Sequence, residues 1–239
     1  MKGIILAGGL GTRLYPLTKA TSKELLPIYD KPMIFYPLEL LLKAGIKDIL
    51  FIVSPIHAGD FLQLLRSGEA FGAKFTYEIQ DKPLGVAQAF ILGESFIGKD
   101  SVALILGDNI FDYDFTKHVL DFKSGGHIFA KEVSDPERFG VVKIDEHNTA
   151  VKIVEKPKEF LSNLAITGFY LYDNRVAEIA KSLTPSSRNE LEITDIHNWY
   201  LRNNELIVDT ISGDWIDAGT FDSLHEANVW AFNKAKKAQ

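Results

Sequence analysis

The sequence begins with a segment whose residues are suited to binding an anion or a flat aromatic base. Residues 3–27 read GIILAGGLGTRLYPLTKATSKELLP, in which an apolar run is followed by Gly8, Gly9 and Gly11 and then by Arg13. Glycines let backbone N–H groups approach a phosphate or a base that a Cβ atom would block, and Arg13 adds a positive charge. An ordinary turn between a strand and a helix would also use glycines, so on their own they leave both interpretations open.

Several other kinds of chemistry find no support in the sequence. The dinucleotide-binding fingerprint G-x-G-x-x-G lacks its third glycine, because Leu14 stands three residues after Gly11, and no G-x-x-x-x-G-K-[ST] occurs. These absences disfavour a nicotinamide-dependent oxidoreductase and a P-loop NTPase. The chain has no Cys, and its six His residues show no H-x-x-x-H or similar spacing, which leaves covalent thiol chemistry and zinc chemistry unsupported.

The elements that must position this segment alternate along the chain. Apolar, β-branched runs predict buried strands, and amphipathic segments that end near glycines predict helices between them. The predicted strands are 4–7, 48–54, 74–79, 101–106 and 127–133, and the predicted helices are 33–44, 59–66, 86–96 and 114–122. This alternation is typical of a three-layer α/β fold with a mostly parallel sheet flanked by helices.

The pattern changes in the second half of the chain. Residues 141–144 and 151–155 predict a hairpin around the sequence DEHN, and the stretch from about 136 to 163 is charged and antiparallel in character. We interpret it as an insertion within a single domain over residues 1–239 rather than as a separate domain. Residues 233–239 predict the solvated end of a helix.

Composition limits the partners. With 26 Lys and Arg against 32 Asp and Glu the net charge is −6, which argues against a nucleic-acid-binding surface. No apolar run approaches the roughly 20 residues of a membrane span. We therefore expect a cytoplasmic protein that binds no nucleic acid and no membrane, and whose anionic ligand is small.

An ordered set of motifs adds a resemblance to these observations. GGLGTRL and SKELLP are followed by QDKPLGVAQA, ILGDN, FGVV, EKP, ITGFYLYD, RNELEITD and WIDAGTFDSL. Over nearly the whole chain, from Lys2 to about Asn228, the sequence resembles the sugar-phosphate nucleotidyltransferase family, and within it the glucose-1-phosphate thymidylyltransferases. The resemblance implies a Rossmann-like nucleotide-diphospho-sugar transferase fold, with a nucleotide-binding part at about 1–135 and a sugar-binding part at about 136–239.

The reaction implied by the resemblance is attack of a glucose 1-phosphate oxygen on the α-phosphorus of dTTP, which gives dTDP-glucose and pyrophosphate. The attacking group is already anionic, so the reaction needs alignment and charge stabilisation rather than a protein nucleophile. The resemblance also implies a role in supplying dTDP-rhamnose or a related deoxysugar.

The resemblance assigns roles to residues at the matched positions. Arg13 and Lys23 would contact the triphosphate, and Asp108 and Asp217 would hold Mg²⁺, since Mg²⁺ prefers a few carboxylates together with phosphate oxygens and water. The remaining nucleotide-binding residues would be Gly8, Gly9, Gly11, Thr12, Gln80, Pro83 and Gly85. The sugar-binding residues would be Gly140, Glu155, Lys156, Ile166, Tyr170 and Arg188.

Alternatives and departures from the family pattern remain open at this stage. Gln80 reads a base edge that thymine and uracil share, so a UTP-using uridylyltransferase is one alternative, and a non-catalytic sugar-nucleotide-binding regulatory protein is another. Phe139 stands where the family often has Tyr. The chain also resembles a short form of the family, and we expect a homo-oligomer because its relatives associate.

Overall fold

The structure is a computed structural model that describes residues 1–237. Within this range, strands β1 to β13 span, in chain order, Lys2–Ala7, Pro27–Ile28, Lys31–Pro32, Asp48–Val53, Lys74–Ile79, Val102–Leu106, Asn109–Phe111, Gly126–Glu132, Gly140–Ile144, Ala150–Glu155, Leu164–Tyr172, Leu206–Thr210 and Trp215–Asp217. Helices α1 to α8 span Phe35–Lys43, Ala58–Leu65, Gln88–Leu92, Glu94–Ile97, Thr116–Asp121, Val176–Ser182, Ile193–Arg202 and Phe221–Lys237.

Nine strands form one mixed sheet that organises the molecule. Its order is β10-β9-β11-β6-β1-β4-β5, and β8 pairs with β11 and with the edge strand β12. The strands β6, β1, β4 and β5 are parallel, β12 is parallel to β8, and β11 is antiparallel to its neighbours. The carboxyl ends of β1 and β6 therefore meet at one edge of the sheet, where ligands bind in open α/β sheets.

The strands of the parallel part are apolar nearly throughout because helices cover both faces of the sheet. On one face a hydrophobic core forms around Ile4, Phe90 and Tyr172, beneath α3, α6 and α7. On the other face a second core forms around Phe51 and Phe169, beneath α1, α2 and α5. The three-layer α/β prediction is thereby confirmed.

A third, smaller core lies beside the carboxyl edge of the main sheet. The short strands β7 and β13 pair antiparallel there, and α8 packs against them through Ala227 and Ala231. Because Asp108 directly precedes β7 and Asp217 ends β13, this small sheet sets the spacing of the two residues.

Most predicted elements match the structure, with one difference in helix continuity. The segment predicted as a single helix over 86–96 is divided into α3 and α4 at Gly93, which ends one helix and begins the next. A Cβ atom at Gly93 would lie 2.9 Å from Ile4 Cδ1, so a glycine is required where this segment crosses β1. The predicted hairpin is formed by β9 and β10.

The hairpin β9–β10 extends the main sheet through β11, so residues 136–163 add strands to the existing core. The division into a nucleotide-binding and a sugar-binding part stays a prediction. The predicted helix end at 233–239 is helical to Lys237, and Ala238 and Gln239, also part of the predicted domain, lie outside the described residues. In the part of the chain that the structure describes, none of the helices combines the length and hydrophobicity needed to span a bilayer.

A buried histidine, His197, lies on the core-facing side of α7. The side chain of His197 is fully buried, and its Nδ1 lies 2.6 Å from the Tyr172 hydroxyl. Its Nε2 is also buried and has no hydrogen-bond partner among residues 1–237. Burial lowers the pKa of His197 from 6.5 to about 3, because the charged imidazolium loses its hydration there.

We predict that His197→Gln reduces the acid sensitivity of the fold. The folded-state pKa of His197 lies below its unfolded value, so stability that is fully present above pH 6.5 is lost as the pH falls toward 3. Between pH 6.5 and 4 this group alone lowers the free energy of unfolding by about 3 kcal/mol. Urea unfolding should show that the free energy of unfolding falls less between pH 6.5 and 4 in the variant than in the parent protein.

The matched control for this prediction is His147→Gln, since the His147 side chain is 79% exposed. This control should keep the pH dependence of the parent protein. If His197→Gln also keeps it, burial of His197 is not a source of acid sensitivity.

Candidate active site

The turn after β1 brings bare backbone to the carboxyl edge of the sheet. A Cβ atom at Gly8 would lie 2.1 Å from Oε1 of Gln80, so no side chain fits there. Gly11 has a φ of 61°, in the left-handed region that favours glycine, and the 3₁₀ turn Thr12–Leu14 follows it. Both glycines are therefore required by the geometry of the turn.

Lys23 carries a largely buried positive charge across the sheet edge from this turn. Its Nζ lies 2.5 Å from Oδ2 of Asp108 and 3.6 Å from Oε1 of Glu24. Burial by itself would lower the pKa of Lys23, but attraction to Asp108 and Glu24 outweighs it and the pKa is raised. The ammonium group is consequently charged and fixed next to the end of β6.

Asp108, which is buried, and Asp217, which is partly buried, form a pair of carboxylates at the same edge. The β7–β13 pairing places Asp217 beside Asn109, and the backbone N–H of Ala218 donates to the carbonyl of Asp108 at 2.9 Å. Burial and the neighbouring Asp108 charge raise the pKa of Asp217 to about 6, although Lys23 opposes this shift. Burial also acts to raise the pKa of Asp108, but the Lys23 ammonium outweighs it and keeps that pKa low.

The carboxylate pair fits a hard divalent cation. Burial and the charge of Asp108 both make ionisation of Asp217 unfavourable, and a cation held by the two carboxylates would reduce that cost. Oxygen is also the ligand type that Mg²⁺ prefers, with phosphate oxygens and water as its usual additional ligands. The donor set of Asp108 and Asp217 is therefore chemically suited to the Mg²⁺ that the sequence predicts.

Asn109 connects the carboxylates to the rest of the edge. Its Nδ2 donates to Oδ1 of Asp108 at 3.0 Å, while its Oδ1 accepts from Trp215 Nε1 at 2.6 Å and from the Gly168 backbone N–H at 3.0 Å. Gly168 lies where the β11–β8 register is interrupted between Ile166 and Tyr170, which leaves its N–H free for Asn109. Through these hydrogen bonds Asn109, in β7, is joined to Trp215 in β13 and to Gly168 in β11.

Arg13 is the most accessible cation of the group. It is exposed and forms none of the ion pairs found among residues 1–237. A Cβ atom at Gly219 would lie 2.9 Å from Arg13 Nη2 and 2.8 Å from Asp217 Oδ1, so the guanidinium and the carboxylate flank this glycine. Arg13 is therefore free to bind an anion close to Asp217.

A pocket of polar amides lies on the other side of the glycine turn. Gln80 is 3% exposed, and its Nε2 donates to Oε1 of Gln88 at 2.8 Å; the Leu84 N–H donates to the same oxygen at 2.9 Å. Gly85 has a φ of 103°, and a Cβ atom there would lie 2.4 Å from the Leu191 carbonyl oxygen. Gln88, which the sequence analysis did not single out, fixes both the Gln80 amide and the loop.

An acidic pocket faces this amide pocket. At Gly140 a Cβ atom would lie 2.8 Å from Thr194 Cγ2 and 3.2 Å from Glu155 Oε2, so a glycine keeps Glu155 accessible. Burial and the neighbouring Glu192 raise the pKa of Glu155. Lys156 follows in a left-handed conformation with a φ of 43°, an uncommon backbone state that concentrates at functional sites.

Arg188 is held behind the acidic pocket by an ion-pair network. Its Nη2 lies 2.7 Å from Glu192 Oε2, 3.1 Å from Glu155 Oε1 and 3.4 Å from Glu190 Oε2. The side chain is not part of the wall of the cleft. Arg188 remains a predicted sugar-phosphate ligand, but in this structure it binds the residues around the pocket.

The amide pocket, the charged group and the acidic pocket form one cleft of about 310 Å³. Most of the residues predicted from the sequence line it: Gly9, Arg13, Lys23, Gln80, Pro83, Gly85, Asp108, Gly140, Glu155, Lys156, Ile166, Tyr170 and Asp217. Gly8, Gly11, Thr12 and Arg188 do not line it. The structure thus brings together thirteen of the seventeen predicted residues, which are scattered from residue 9 to residue 217.

The cleft also contains residues that the sequence analysis missed. Among them are Glu24, Asn109, Arg138, Thr194, His197 and Trp215. Glu24 and Asn109 are adjacent to Lys23 and Asp108 in matched motifs, so the motif itself was an available signal. Trp215 packs on Phe139 with ring centroids 5.1 Å apart, a contact that no local pattern predicts.

We predict that Asp217→Asn stabilises the metal-free protein at neutral pH. The folded-state pKa of Asp217 is raised above its ordinary value of 3.8, so its ionisation costs stability that is fully present below pH 3.8 and lost as the pH rises through about 6. Urea unfolding in EDTA at pH 8 should give the variant about 1 to 3 kcal/mol more stability than the parent. At pH 3.5 the difference should disappear, and a variant that is destabilised at pH 8 would contradict the repulsion described.

The comparisons with known proteins agree with this geometry. The family model for nucleotidyl transferases matches residues 2–233. A glucose-1-phosphate thymidylyltransferase of Neisseria meningitidis serogroup A is 53% identical over 233 residues, which cover 95% of this chain and 81% of that protein.

Solved structures give the same result. A protein of Bacillus anthracis assigned as a glucose-1-phosphate thymidylyltransferase, in complex with a sucrose, is 50% identical with a TM-score of 0.92, covering 97% of this chain and 95% of that one. A UDP-glucose pyrophosphorylase complexed with UDP-glucose is 26% identical with a TM-score of 0.87, covering 98% of each chain. The family model matches nearly the whole chain, and the thymidylyltransferase of Neisseria meningitidis is 53% identical to it. This chain therefore belongs to the nucleotidyl transferase family.

Proposed function

We propose that this protein is a glucose-1-phosphate thymidylyltransferase, which transfers a thymidylyl group from dTTP to glucose 1-phosphate and releases pyrophosphate. The observation that carries the proposal is that one cleft contains the amide pocket, the acidic pocket, the two cations Arg13 and Lys23, and the two carboxylates Asp108 and Asp217. This arrangement occurs in a chain that is 53% identical to a thymidylyltransferase. The product, dTDP-glucose, would supply deoxysugar synthesis.

The charged group accounts for the transfer step. A sugar-phosphate oxygen is already a nucleophile, so the protein must align two anions that repel each other and stabilise the leaving pyrophosphate. Arg13 is free of ion pairs in the described chain and binds the outgoing phosphates. Lys23 is charged and fixed beside Asp108, where it contributes a second positive charge without an entropic cost at the moment of reaction.

Members of the family generally use a divalent metal, and we assign Asp108 and Asp217 as the residues that hold Mg²⁺ here. When bound, Mg²⁺ would neutralise phosphate charge. Asn109 keeps Asp108 oriented through its 3.0 Å hydrogen bond, and the Gly219 N–H does the same for Asp217 at 3.1 Å. These contacts limit the motion of both carboxylates.

The two pockets account for the substrates. Gln80 presents an amide oxygen and an N–H to the edge of a pyrimidine, and the glycine turn supplies bare backbone beside it. On the opposite wall Glu155 accepts hydrogen bonds from sugar hydroxyls, and Tyr170 and Ile166 pack against the ring. Lys156 faces the sugar phosphate, and Arg188 orients Glu155 through the 3.1 Å contact.

The alternatives considered at the sequence level are less well supported. A uridylyltransferase is disfavoured because the thymidylyltransferase relative is 53% identical and the UDP-glucose pyrophosphorylase is 26% identical. A binding-only regulatory protein would have no need of both cations and both carboxylates, and all four are present in one cleft.

We predict that the purified protein releases pyrophosphate from dTTP and glucose 1-phosphate in the presence of Mg²⁺ and that EDTA abolishes the release. UTP should support slower turnover at equal concentration. A preference for UTP would replace the proposal with the uridylyltransferase, and binding of dTTP without release from either nucleotide would favour the regulatory protein.

We predict that Arg13→Ala lowers kcat by about two to three orders of magnitude, as expected for the loss of one donor to the leaving group. Its KM for glucose 1-phosphate should change little, because Arg13 lies on the carboxylate side of the cleft. Arg202→Ala is the matched control: Arg202 is exposed at the far end of α7. An Arg13→Ala enzyme with most of its turnover intact would remove the residue from the transfer step.

A further inference from the structure

Three metal-ligating side chains converge at the edge of the sheet opposite to the cleft. Nε2 of His127 lies 2.8 Å from Oδ2 of Asp209, and Nε2 of His118 lies 3.4 Å from the same oxygen. One ligand atom from each of the three residues lies within 4.8 Å of the others. The residues come from β8, α5 and β12, so the cluster exists only in the folded chain.

This cluster is separate from the active site. β8 runs parallel to β6, because both are antiparallel to β11, and His127 is the second residue of β8. It therefore lies near the amino-terminal edge of the sheet, whereas Asp108 follows the carboxyl end of β6. The cleft contains none of the three residues.

Aromatic packing fixes the two imidazoles before any ligand binds. The His127 ring stacks on Phe129 with centroids 4.6 Å apart, and the His118 ring packs edge-on against the same Phe at 5.0 Å. The side chains of His118 and His127 are only 19% and 10% exposed, while that of Asp209 is 46% exposed. The cluster is thus walled by apolar rings on the inner side and open to water beside Asp209.

We propose that His118, His127 and Asp209 form a binding site for a zinc-class divalent cation. Two imidazole nitrogens and one carboxylate oxygen, with a fourth position open to water, match the ligand number and type that Zn²⁺ takes. Mg²⁺ and Ca²⁺ select oxygen ligands and are disfavoured by two imidazoles.

The His118 ring has one nitrogen directed at the cluster. Its Nε2 lies 3.4 Å from Oδ2 of Asp209, whereas its Nδ1 is buried and has no hydrogen-bond partner in the described chain. Nε2 is therefore the nitrogen of His118 that would bind the cation.

A cation bound at this site would stabilise the attachment of the edge strand β12. Among residues 1–237, β12 pairs with β8 and with no other strand, so it is an edge strand. A cation bound by Asp209, His127 and His118 would connect this edge strand to β8 and to the short helix α5. Binding to the folded chain alone would raise its stability by mass action.

The test is a titration of tag-free, EDTA-stripped protein with Zn²⁺ by calorimetry, in excess Mg²⁺ so that the active-site carboxylates are occupied. We expect one saturable Zn²⁺ site and a rise in Tm of roughly 5 to 10 °C at about 100-fold excess over Kd. Co²⁺ in place of Zn²⁺ should give the visible absorption of a tetrahedral or five-coordinate nitrogen-oxygen site.

His127→Gln and Asp209→Asn should each weaken Zn²⁺ binding at least about tenfold and remove the Co²⁺ spectrum. Pyrophosphate release in Mg²⁺ should stay at the parent rate in both variants, which also verifies that they fold. His225→Gln, at an exposed position on α8, should bind Zn²⁺ like the parent. Unchanged Zn²⁺ binding in the cluster variants, or no saturable site in the parent, would overturn the proposal. The three side chains would then be a hydrogen-bonded group without a metal-binding role.

Discussion

The repulsion between Asp108 and Asp217 is the interaction on which the active-site edge depends. Burial and the neighbouring Asp108 charge together raise the pKa of Asp217, so its ionisation carries a cost. Lys23, which contacts Asp108 directly, offsets part of this cost, and the Arg13 charge on the exposed side has a weaker effect. Arg13 and Lys23 are also the groups that we propose as ligands of the triphosphate, so the charges that offset the carboxylate repulsion would serve substrate binding as well.

Backbone architecture makes this arrangement possible. β6 ends just before Asp108, and the chain then forms β7, whose pairing with β13 brings Asp217 alongside from more than a hundred residues away. Asn109 joins the small sheet to β11 by accepting from the Gly168 N–H, which is free because the β11–β8 register is interrupted there. The carboxylates are consequently held by hydrogen-bonded strands rather than by flexible loops, and a site built on strands keeps its geometry more closely.

The two edges of the sheet show different uses of buried polar groups. At the carboxyl edge, opposite charges and glycines leave an open cleft in which anions and hydroxyl groups can be bound. At the other edge, aromatic rings enclose two imidazoles and leave one carboxylate facing water. The first arrangement suits a hard cation and phosphates, and the second suits a softer cation with nitrogen ligands.

The sequence by itself determined the strands of the parallel sheet, most of its helices and thirteen of the residues that line the cleft, because apolar periodicity and motif spacing are local properties. It did not determine the division of the 86–96 helix at Gly93. The position of Arg188 behind Glu155, the roles of Asn109 and Gln88, and the grouping of His118 and His127 with Asp209 were decided only by tertiary structure. Strand pairing brings Asn109 to Trp215 and His127 to Asp209, whereas loop and helix contacts place Gln88 and Arg188. A pattern along the sequence carries no information about which of these side chains will share a hydrogen bond or a charge.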